Sequence, residues 1–487
     1  MSTTKSVKVY QMYIDGEFIE SSSNETSIVI NPATEEIISE VPKGTVADAR
    51  RAVDAAALAQ KEWAKLPAIE RANYLRAISK GIRENADHIA RVISEEMGKT
   101  LALAEVEVNF TADYIDYSAE WARRYEGEII QSDRPNENIL LFKQPIGVVA
   151  GILPWNFPFF LIARKAAPAL ITGNTIVLKP SAESPNNALE FAKIVEMAGL
   201  PKGVINFVTG SGSVIGKDLA SNPKVGLVSL TGSYHAGAEV MRAAAENITK
   251  VSLELGGKAP AIVMADADLD LAVKSIVASR VINSGQVCNC CERVYVHEDI
   301  AEEFYEKVGE AMKQTKFGDP LVHSDIDMGP LINKSSLEAV EKHVEEAIAS
   351  GAKLLTGGKR TGEVGYCFEP TVLINTNNDM RIMKDEIFGP VLPIATFKDL
   401  DEAIDLANDC EYGLTSSIYT QNIDVAMRAC NELKFGETYI NRENFEAIQG
   451  FHAGWRKSGI GGADGKHGLE EYLQTHVVYL QYNQNKK

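Results

Sequence analysis

The chain has 487 residues, which is more than a single hydrophobic core usually holds, so two or three domains are expected. Hydrophobic residues make up 45% of the chain and charged residues 24%, proportions that exclude a disordered or fibrous protein. The excess of 67 acidic over 49 basic residues gives a net charge of −18, which repels phosphate backbones, so no nucleic-acid partner is expected.

No targeting or membrane segment is predicted. Residues 1–10 lack the apolar core of a signal peptide. The most apolar stretch, residues 148–161, is interrupted by prolines and is shorter than the roughly 20 residues of a spanning helix. Six cysteines are too few for a secreted disulfide framework, so we expect a cytoplasmic protein with reduced thiols and no membrane contact.

The first predicted elements are a hairpin and a long helical zone. Apolar and polar residues alternate over residues 13–18 around Asp15 and Gly16, which is typical of a two-residue hairpin turn. Apolar residues at helical spacing extend from about residue 46 to residue 124. Gly98 is the strongest helix stop within this zone.

From residue 146 the pattern changes to alternating strands and helices. Short β-rich runs are found at residues 147–152, 175–178, 203–208 and 225–230. Nearly continuous apolar strands separated by helices predict a parallel sheet covered on both faces. Ligands of such folds bind at the carboxyl ends of the strands, so the loops after these runs are the candidate binding loops.

A second α/β run extends from residue 259 to about residue 470. It is followed by a strand-like segment, residues 476–480, with no helix after it. A terminal strand needs a partner edge, and another subunit could supply that edge.

Three loops after the predicted strands have phosphate-binding character. Each loop contains glycine residues, or hydroxyl or lysine side chains, at a point where a helix or turn is expected to begin. They are residues 210–216, with Gly212 and Gly216, the Thr231-Gly232-Ser233 segment, and the Lys179-Pro180-Ser181 segment. One such loop is most often only a turn, but three on successive strands predict a dinucleotide site.

Cys288, Glu254 and Asn156 are candidate reactive residues with ordinary alternatives. Cys288 follows a helical stretch and is either a nucleophile or a small buried side chain. Glu254 lies between leucines at a strand end and is either a base or a surface acid. Asn156 lies in an apolar turn and is either a hydrogen-bond donor or a turn former. A metal site at Cys288, Cys290 and Cys291 is disfavoured because the Cys-x₂-Cys spacing is absent.

Four motifs resemble those of the NAD(P)-dependent aldehyde dehydrogenases, and the resemblance covers nearly the whole chain. The motifs are residues 154–158, 253–258, 285–288 and 386–391. Residues 121–133 and 439–451 most resemble the bacterial lactaldehyde and glycolaldehyde dehydrogenases of that family. The resemblance implies an α/β fold with three parts. They are a Rossmann-type cofactor domain (8–126 and 146–255), an α/β catalytic domain (256–473), and a small oligomerisation sheet (127–145 and 474–487) that makes a homodimer or homotetramer.

The family chemistry assigns a role to each candidate. Cys288 would attack the aldehyde, and Asn156 with the Cys288 backbone N–H would bind the oxyanion. Glu254 would activate the water that hydrolyses the thioester, and its leucine neighbours would give it a partly apolar setting that favours a base near neutral pH. Members that transfer the acyl group to coenzyme A lack this acid, so a non-acylating enzyme is predicted. A non-catalytic, crystallin-like protein is a distant alternative.

The resemblance also implies a set of cofactor residues. Lys179 would contact the adenosine ribose and Glu386 the nicotinamide ribose. Many NAD-preferring members have a glutamate where this chain has Ala182, with Glu183 one position later, so NAD is predicted with some use of NADP. The full set is Ile152, Pro154, Trp155, Lys179, Ser181, Gly212, Gly216, Thr231, Gly232, Ser233, Leu255, Gly256, Glu386 and Phe388.

The predicted substrate pocket is polar. We expect Arg164 to lie on the same helix as Asn156, eight residues later, and it occupies a position often aromatic in the family, as does His452. With Asn289 and Glu446 these residues would suit a small hydroxyaldehyde. Alternatively, Arg164 and Glu446 only pair with each other, and the substrate is a semialdehyde, betaine aldehyde, retinal or a simple aliphatic aldehyde. His452 as a base or metal ligand, and a disulfide of Cys288 with Cys290 or Cys291, are less favoured; no bound metal is predicted.

Overall fold

The computed structural model describes residues 7–482, so residues 483–487 of the predicted oligomerisation segment lie outside the described part. The N-terminal region consists of β1 (Lys8–Val9), β2 (Met12–Ile14), β3 (Glu17–Ile19), β4 (Thr26–Ile30), β5 (Ile37–Pro42), α1 (Val46–Trp63), α2 (Ala68–Glu84), α3 (Ala86–Met97) and α4 (Leu101–Glu120). The predicted hairpin is confirmed, since Tyr13 pairs with Phe18. The predicted helical zone is confirmed too, and Gly98 ends α3 with a φ of 78°.

The next region carries most of the first large sheet. Its elements are β6 (Glu128–Gln131), β7 (Glu137–Pro145), β8 (Val148–Ile152), α5 (Phe160–Ile171), β9 (Thr175–Lys179), α6 (Asn186–Met197), β10 (Ile205–Phe207), α7 (Lys217–Ser221), β11 (Val225–Thr231), α8 (Tyr234–Ala244) and β12 (Lys250–Glu254). All four strands predicted between residues 147 and 230 are present, because their apolar runs are buried on both faces of the sheet.

The C-terminal region forms the second large sheet and the last strand. Its elements are β13 (Ala259–Val263), α9 (Leu269–Val281), β14 (Cys291–His297), α10 (Ala301–Gln314), α11 (Lys334–Ala349), β15 (Lys353–Thr356), β16 (Thr371–Ile374), β17 (Val391–Phe397), α12 (Leu400–Asn408), β18 (Thr415–Tyr419), α13 (Ile423–Glu432), β19 (Glu437–Ile440), β20 (Gly459–Ile460), α14 (Gly465–Glu470) and β21 (Leu473–Gln481). No helix within residues 7–482 is long and apolar enough to cross a membrane.

The first large sheet has the strand order β20-β12-β11-β8-β9-β10-β2-β3. The five strands from β12 to β10 run parallel, and the edge strands β20, β2 and β3 are antiparallel to their neighbours. Helices α2 to α6 supply most of the apolar core on one face, and α1, α7 and α8 supply that on the other. The predicted doubly covered parallel sheet is therefore confirmed.

The second large sheet has the order β15-β16-β17-β14-β13-β18-β19, and only β15 is antiparallel to its neighbour. Helices α11 to α13 cover one face and α9 and α10 the other. Each large sheet with the helices that cover it is called a lobe. One short strand links the two lobes, because β20 follows β19 in the chain but pairs with β12 of the first sheet.

The last strand is paired within its own chain. Strand β21 pairs antiparallel with β7 of its own chain over nine residues, from Leu473 opposite Pro145 to Gln481 opposite Glu137. The suggestion that a second subunit supplies its partner edge is thus wrong for this edge. Two long strands of one chain satisfy each other's backbone groups, and β6 completes a three-stranded sheet.

Candidate active site

Two cavities meet beside the carboxyl ends of β8, β11 and β12. The first has a volume of about 190 Å³ and the second of about 280 Å³. Four residues line both cavities: Asn156, Thr231, Glu254 and Cys288. The three predicted catalytic residues therefore lie together at the junction of two pockets.

The segment before Cys288 has an unusual backbone. Asn283, Ser284 and Gly285 have φ values of 48°, 58° and 75°, all in the left-handed region. Such a conformation costs on the order of 1–3 kcal/mol for a non-glycine residue, so surrounding contacts must hold it. The Ser284 hydroxyl donates a 2.7 Å hydrogen bond to the carbonyl of Gly329. This held turn presents the partly exposed Cys288 to the cavities.

Asn156 lies in the turn before α5, not on the helix with Arg164 as predicted, because α5 begins only at Phe160. Its Nδ2 donates a 3.0 Å hydrogen bond to the carbonyl of Gln286, and its Oδ1 accepts one from the Phe157 backbone N–H. One amide hydrogen is thereby used to orient the side chain. The other has no acceptor within residues 7–482, and Asn156 lines both cavities next to the loop that carries Cys288.

Glu254 is 4% exposed and surrounded by polar groups. The Thr231 hydroxyl donates a 2.7 Å hydrogen bond to its Oε2. The cations that act on it are Lys165, Arg164 and His452. Burial alone would raise the pKa of the Glu254 carboxyl, but these charges and the hydrogen bond outweigh it and lower the pKa to about 2. The expected partly apolar setting with a pKa nearer neutral was wrong.

Arg164 is buried and doubly ion-paired. Its Nε donates a 3.0 Å hydrogen bond to Asp464, a second nitrogen bonds the other Asp464 oxygen, and the same nitrogen lies 3.1 Å from Oε1 of Glu446. The other Glu446 oxygen accepts from the Asn289 amide. The pairing of Arg164 with Glu446 is thus present, and Asp464 is a second partner that no motif indicated. All four predicted substrate residues still line the first cavity.

His452 is only 1% exposed, and its Nδ1 lies 2.5 Å from Oε1 of Glu437. Cys288 lines the same cavity as the ring. Burial and the Arg164 charge lower the pKa of His452, but Cys288 and Glu437 outweigh them and raise it well above its usual value. Glu437 was missed because it lies in a strand fifteen residues earlier in the chain, with no motif around it.

Apolar side chains form the rest of the first cavity. They come from α4, from the turn and helix around α5, and from the loops that carry Cys288 and Glu446: Leu103, Val106, Phe110, Phe157, Phe160, Leu161, Val287 and Phe445. The cavity therefore has a polar end, where Arg164, Asn289, Glu446 and His452 lie, and an apolar wall.

Most of the predicted cofactor residues surround the second cavity. Those that line it are Pro154, Trp155, Thr231, Gly232, Ser233, Leu255, Gly256, Glu386 and Phe388. The other five lie outside its lining. Ile152 and Lys179 are paired at the ends of β8 and β9, Ser181 follows in the next turn, and Gly212 and Gly216 bound a π-helical turn before α7.

The loop that carries Glu386 is held by a carboxylate that the sequence did not reveal. Glu292 accepts hydrogen bonds from the backbone N–H groups of Ile387 and Phe388, at 2.9 and 3.1 Å. Glu386 Oε1 accepts a 2.9 Å bond from the Gly257 N–H. Burial and the charge of Glu292 raise the pKa of Glu386 to about 8.

Two close contacts shape the second cavity. A side chain at Gly256 would begin 2.3 Å from Oε2 of Glu386, so a larger residue would displace that carboxyl from its present position. The rings of Trp155 and Phe388 meet edge to face with centroids 5.5 Å apart. The cavity is thus bounded by two aromatic rings and a carboxyl.

Lys179 points back to its own loop. Its Nζ donates a 2.8 Å hydrogen bond to the Pro180 carbonyl, and burial lowers its pKa to about 8. Ala182 and Glu183 are both exposed at this turn.

The two neighbouring thiols differ from Cys288. Cys290 and Cys291 are buried, and burial raises the pKa of each thiol to about 12, which makes them poor nucleophiles. Among residues 7–482 no group of three His, Cys, Asp or Glu side chains is placed to hold a metal ion. The absence of a bound metal stays a prediction.

Comparison with known proteins identifies the relatives of this chain. Residues 18–478 match the profile of the aldehyde dehydrogenase family. The chain is 65% identical to the lactaldehyde dehydrogenase of Escherichia coli K12 over 97% of its own length and 98% of that protein. The crystal structure of an Escherichia coli lactaldehyde dehydrogenase matches with a TM-score of 0.97 at 65% identity, covering 98% of this chain and 100% of that one.

Two further solved structures carry cofactors. A 3,6-anhydro-L-galactose dehydrogenase in complex with NADP is 45% identical, with a TM-score of 0.95 over 97% of this chain and 100% of that one. The betaine aldehyde dehydrogenase of Staphylococcus aureus in complex with NAD⁺ is 37% identical, with a TM-score of 0.95 over 98% and 96%. These matches confirm the predicted fold class and family resemblance.

Proposed function

Because this chain belongs to the aldehyde dehydrogenase family, we propose that it oxidises a small hydroxyaldehyde, such as lactaldehyde or glycolaldehyde, to the carboxylic acid. The cofactor is NAD, with some use of NADP. The 65% identity to a lactaldehyde dehydrogenase over nearly the full length supports the choice of substrate. The observation that carries the proposal is the meeting of two cavities at Cys288 and Glu254.

The catalytic roles follow from this junction. The Cys288 thiolate adds to the aldehyde carbon, and the free amide hydrogen of Asn156, with the Cys288 backbone N–H, binds the oxyanion that forms. Loss of hydride from this adduct leaves a thioester. Glu254 then takes a proton from the water that hydrolyses the thioester, since it is ionised and lines both cavities.

The second cavity fits a nicotinamide cofactor. Its aromatic pair and the space beside Gly256 suit a flat ring and its ribose, and in this proposal Glu386 accepts a hydrogen bond from a ribose hydroxyl. Ser233 caps α8, so the N-terminus of this helix faces the cavity and favours a pyrophosphate. When bound there, the nicotinamide accepts the hydride that leaves the substrate.

The first cavity supports a substrate with a hydroxyl group. Glu446 and His452 offer an acceptor and a donor near Cys288, and Asn289 adds an amide. Sites built to bind a hydroxyl reject analogues that lack it, because their own polar groups are then left unpaired. At about 190 Å³ the cavity also favours a small substrate over a long or aromatic one.

Assembly into a homodimer or homotetramer is part of the proposal. In the sheet β21-β7-β6, strand β21 is an edge strand, and its outer edge has no partner among residues 7–482. Several apolar side chains of this sheet are exposed, including Ile129 (78%) and Tyr479 (67%). A second copy would cover them. We assign residues 127–145 and 474–487 to this role, 8–126 and 146–255 to cofactor binding, and 256–473 to catalysis.

The six free cysteines support a cytoplasmic location, since thiols stay reduced there. The net charge of −18 repels phosphate groups and so argues against a nucleic-acid partner.

The test is growth of NADH absorbance with lactaldehyde, glycolaldehyde, succinic semialdehyde, betaine aldehyde and hexanal, each with NAD⁺ and NADP⁺. We expect the highest kcat/KM for the two hydroxyaldehydes with NAD⁺. Adding coenzyme A should change neither rate nor product, since Glu254 makes the enzyme hydrolytic. A preference for hexanal would contradict the substrate assignment, and cysteine-independent activity, measured with Cys288→Ser, would contradict the mechanism.

A further inference from the structure

Glu292, near the start of β14, is a buried carboxylate with four partners. Its side chain is 1% exposed. Oε2 accepts a 2.8 Å hydrogen bond from Lys258 Nζ and the 2.9 Å bond from the Ile387 N–H. Oε1 accepts the 3.1 Å bond from the Phe388 N–H and lies 2.8 Å from Arg280 Nη1. Each oxygen of this carboxylate therefore meets one cation and one backbone N–H.

Arg280 extends these contacts to the turn that carries the proposed nucleophile. Its guanidinium donates a 2.5 Å hydrogen bond to the carbonyl of Gly285, in the left-handed segment before Cys288. A Cβ added at Gly285 would lie 2.2 Å from the carbonyl oxygen of Gly389, so this turn touches the loop of residues 386–389 directly. Glu292 thus joins the turn of Cys288 to the 386–389 loop.

The 386–389 loop has a conformation that needs support. Phe388 has a φ of 53°, in the left-handed region that is unfavourable for a residue with a side chain. Both Phe388 and Glu386 line the second cavity, where the Phe388 ring meets Trp155 edge to face. The two N–H groups that Glu292 binds lie at Phe388 and at the residue before it. The shape of this cavity wall therefore depends on Glu292.

We propose that Glu292 is a positioning residue for the cofactor, which holds the 386–389 loop against the turn of Cys288 and so fixes the nicotinamide ribose relative to the thiol. Glu292 lies behind the wall of the second cavity and acts through Glu386. The inference rests on the proposed roles of Cys288 and Glu386 and adds the group that sets the distance between them.

The negative charge of Glu292 is part of this role. Burial opposes ionisation of the carboxyl, but the charges of Lys258 and Arg280 and the hydrogen bonds outweigh it and lower its pKa. An ionised acceptor binds backbone N–H groups more strongly than a neutral one. A glutamine has one acceptor oxygen, so its NH₂ group would face one of the N–H groups and one of the cations. We therefore expect Glu292→Gln to displace the loop.

Displacement of the loop should slow the transfer of hydride. The hydride passes from the adduct on Cys288 to the nicotinamide, and rates of such steps fall steeply when the reacting atoms are misplaced by even 1 Å or so. Weaker binding of the cofactor should accompany this, because Glu386 moves with the loop.

The test is a double-mutant cycle of Glu292→Gln and Glu386→Ala. Two quantities are measured: the Kd for NAD⁺ without aldehyde, and the rate of NADH formation in the first turnover at saturating NAD⁺. The aldehyde is the one with the highest kcat/KM in the panel above. We expect the ratio of rate to Kd to fall at least about tenfold in each single variant. In the double variant it should lie within about threefold of Glu386→Ala alone, because Glu292 acts through Glu386.

The cycle separates this inference from the proposed function. If Glu386→Ala keeps the original ratio, Glu386 does not bind the cofactor, and both the cofactor assignment and this inference are wrong. If Glu386→Ala lowers the ratio but folded Glu292 variants keep it, only this inference is wrong. Losses that multiply in the double variant would also overturn it, since they would mean that Glu292 acts independently of Glu386.

Controls address folding. Glu190→Gln changes another buried carboxylate, which accepts hydrogen bonds from Lys8 and Tyr10 on the outside of the first lobe, and it should leave the ratio unchanged. Glu292→Asp keeps the charge between the two cations, but its side chain is shorter and should withdraw from the loop. If thermal unfolding shows that Glu292→Gln is not folded, Glu292→Asp decides, with a loss expected in the same direction.

Discussion

The Thr231 hydroxyl donates a 2.7 Å hydrogen bond to Oε2 of Glu254, and the two residues are neighbours at the ends of β11 and β12. The same hydroxyl accepts a 2.9 Å bond from Nζ of Lys165. Glu254 is therefore tied through Thr231 to a buried cation, while its carboxylate remains part of the wall around Cys288.

Replacing Thr231 by Val should raise the pKa of Glu254, because the variant loses the hydroxyl donor that favours the carboxylate. A general base acts only when ionised, so the acidic limb of the kcat profile should move to higher pH, by up to about one unit. Thr231→Ser keeps the hydroxyl and should keep the limb in place. An unmoved limb in the Val variant would show that another group sets it.

Glu254→Gln should slow hydrolysis of the thioester far more than its formation. Rapid mixing with lactaldehyde and NAD⁺ should show a burst of NADH close to one per site, followed by turnover slowed by about 10²–10⁴. Hydroxylamine cleaves thioesters without help from a base, so adding it should restore turnover. A variant with no burst and normal steady-state rates would contradict the role of Glu254.

Arg164 is expected to matter for stability as well as for substrate. Arg164→Met would leave Asp464, which is 3% exposed, as an unpaired buried carboxylate. The free energy of unfolding should fall by about 3–5 kcal/mol in urea denaturation. Adding Asp464→Asn should recover part of this loss, because the pair is coupled. Strictly additive losses would mean that the two side chains do not interact.

Cofactor choice should respond to the turn after β9. Ala182→Glu places a carboxylate near Lys179, where it would repel a ribose 2′-phosphate. The ratio of kcat/KM for NADP⁺ to that for NAD⁺ should fall about tenfold or more, which corresponds to roughly 1.4 kcal/mol. Ala182→Gln has the same size without the charge and should change the ratio much less. Equal effects of both variants would exclude charge as the cause.

The oligomer should depend on the exposed edge of β21. Tyr479→Lys places a charge on this edge without touching the pairing with β7, and we expect a smaller particle by light scattering. Leu58→Lys, at an equally exposed site on α1, is the control and should leave the mass unchanged. An unchanged mass for the Tyr479 variant would place the subunit contact elsewhere.

Prediction from sequence worked where the signal was local. The strands at residues 148–152 and 225–231 were recognisable because both faces are buried and most of their residues are apolar. Partners far apart in sequence left no such signal: Arg164 and Asp464 are separated by 300 positions. The pKa of Glu254 was misjudged for a geometric reason. Leu253, which precedes it in β12, points to the opposite face of the strand, and the groups that act on Glu254 are polar ones from other elements, such as Lys165 and Thr231.

Strand β20 ties the two halves of the molecule into one cooperative unit. Its two residues follow the second sheet in the chain yet pair with β12, and the helix after it brings Leu469 and Tyr472 into the core of the first lobe. A fragment that ends at residue 255 would lack this edge strand and part of its own interior. We therefore expect the two lobes to unfold in a single thermal transition. We do not expect either half to fold when it is expressed alone.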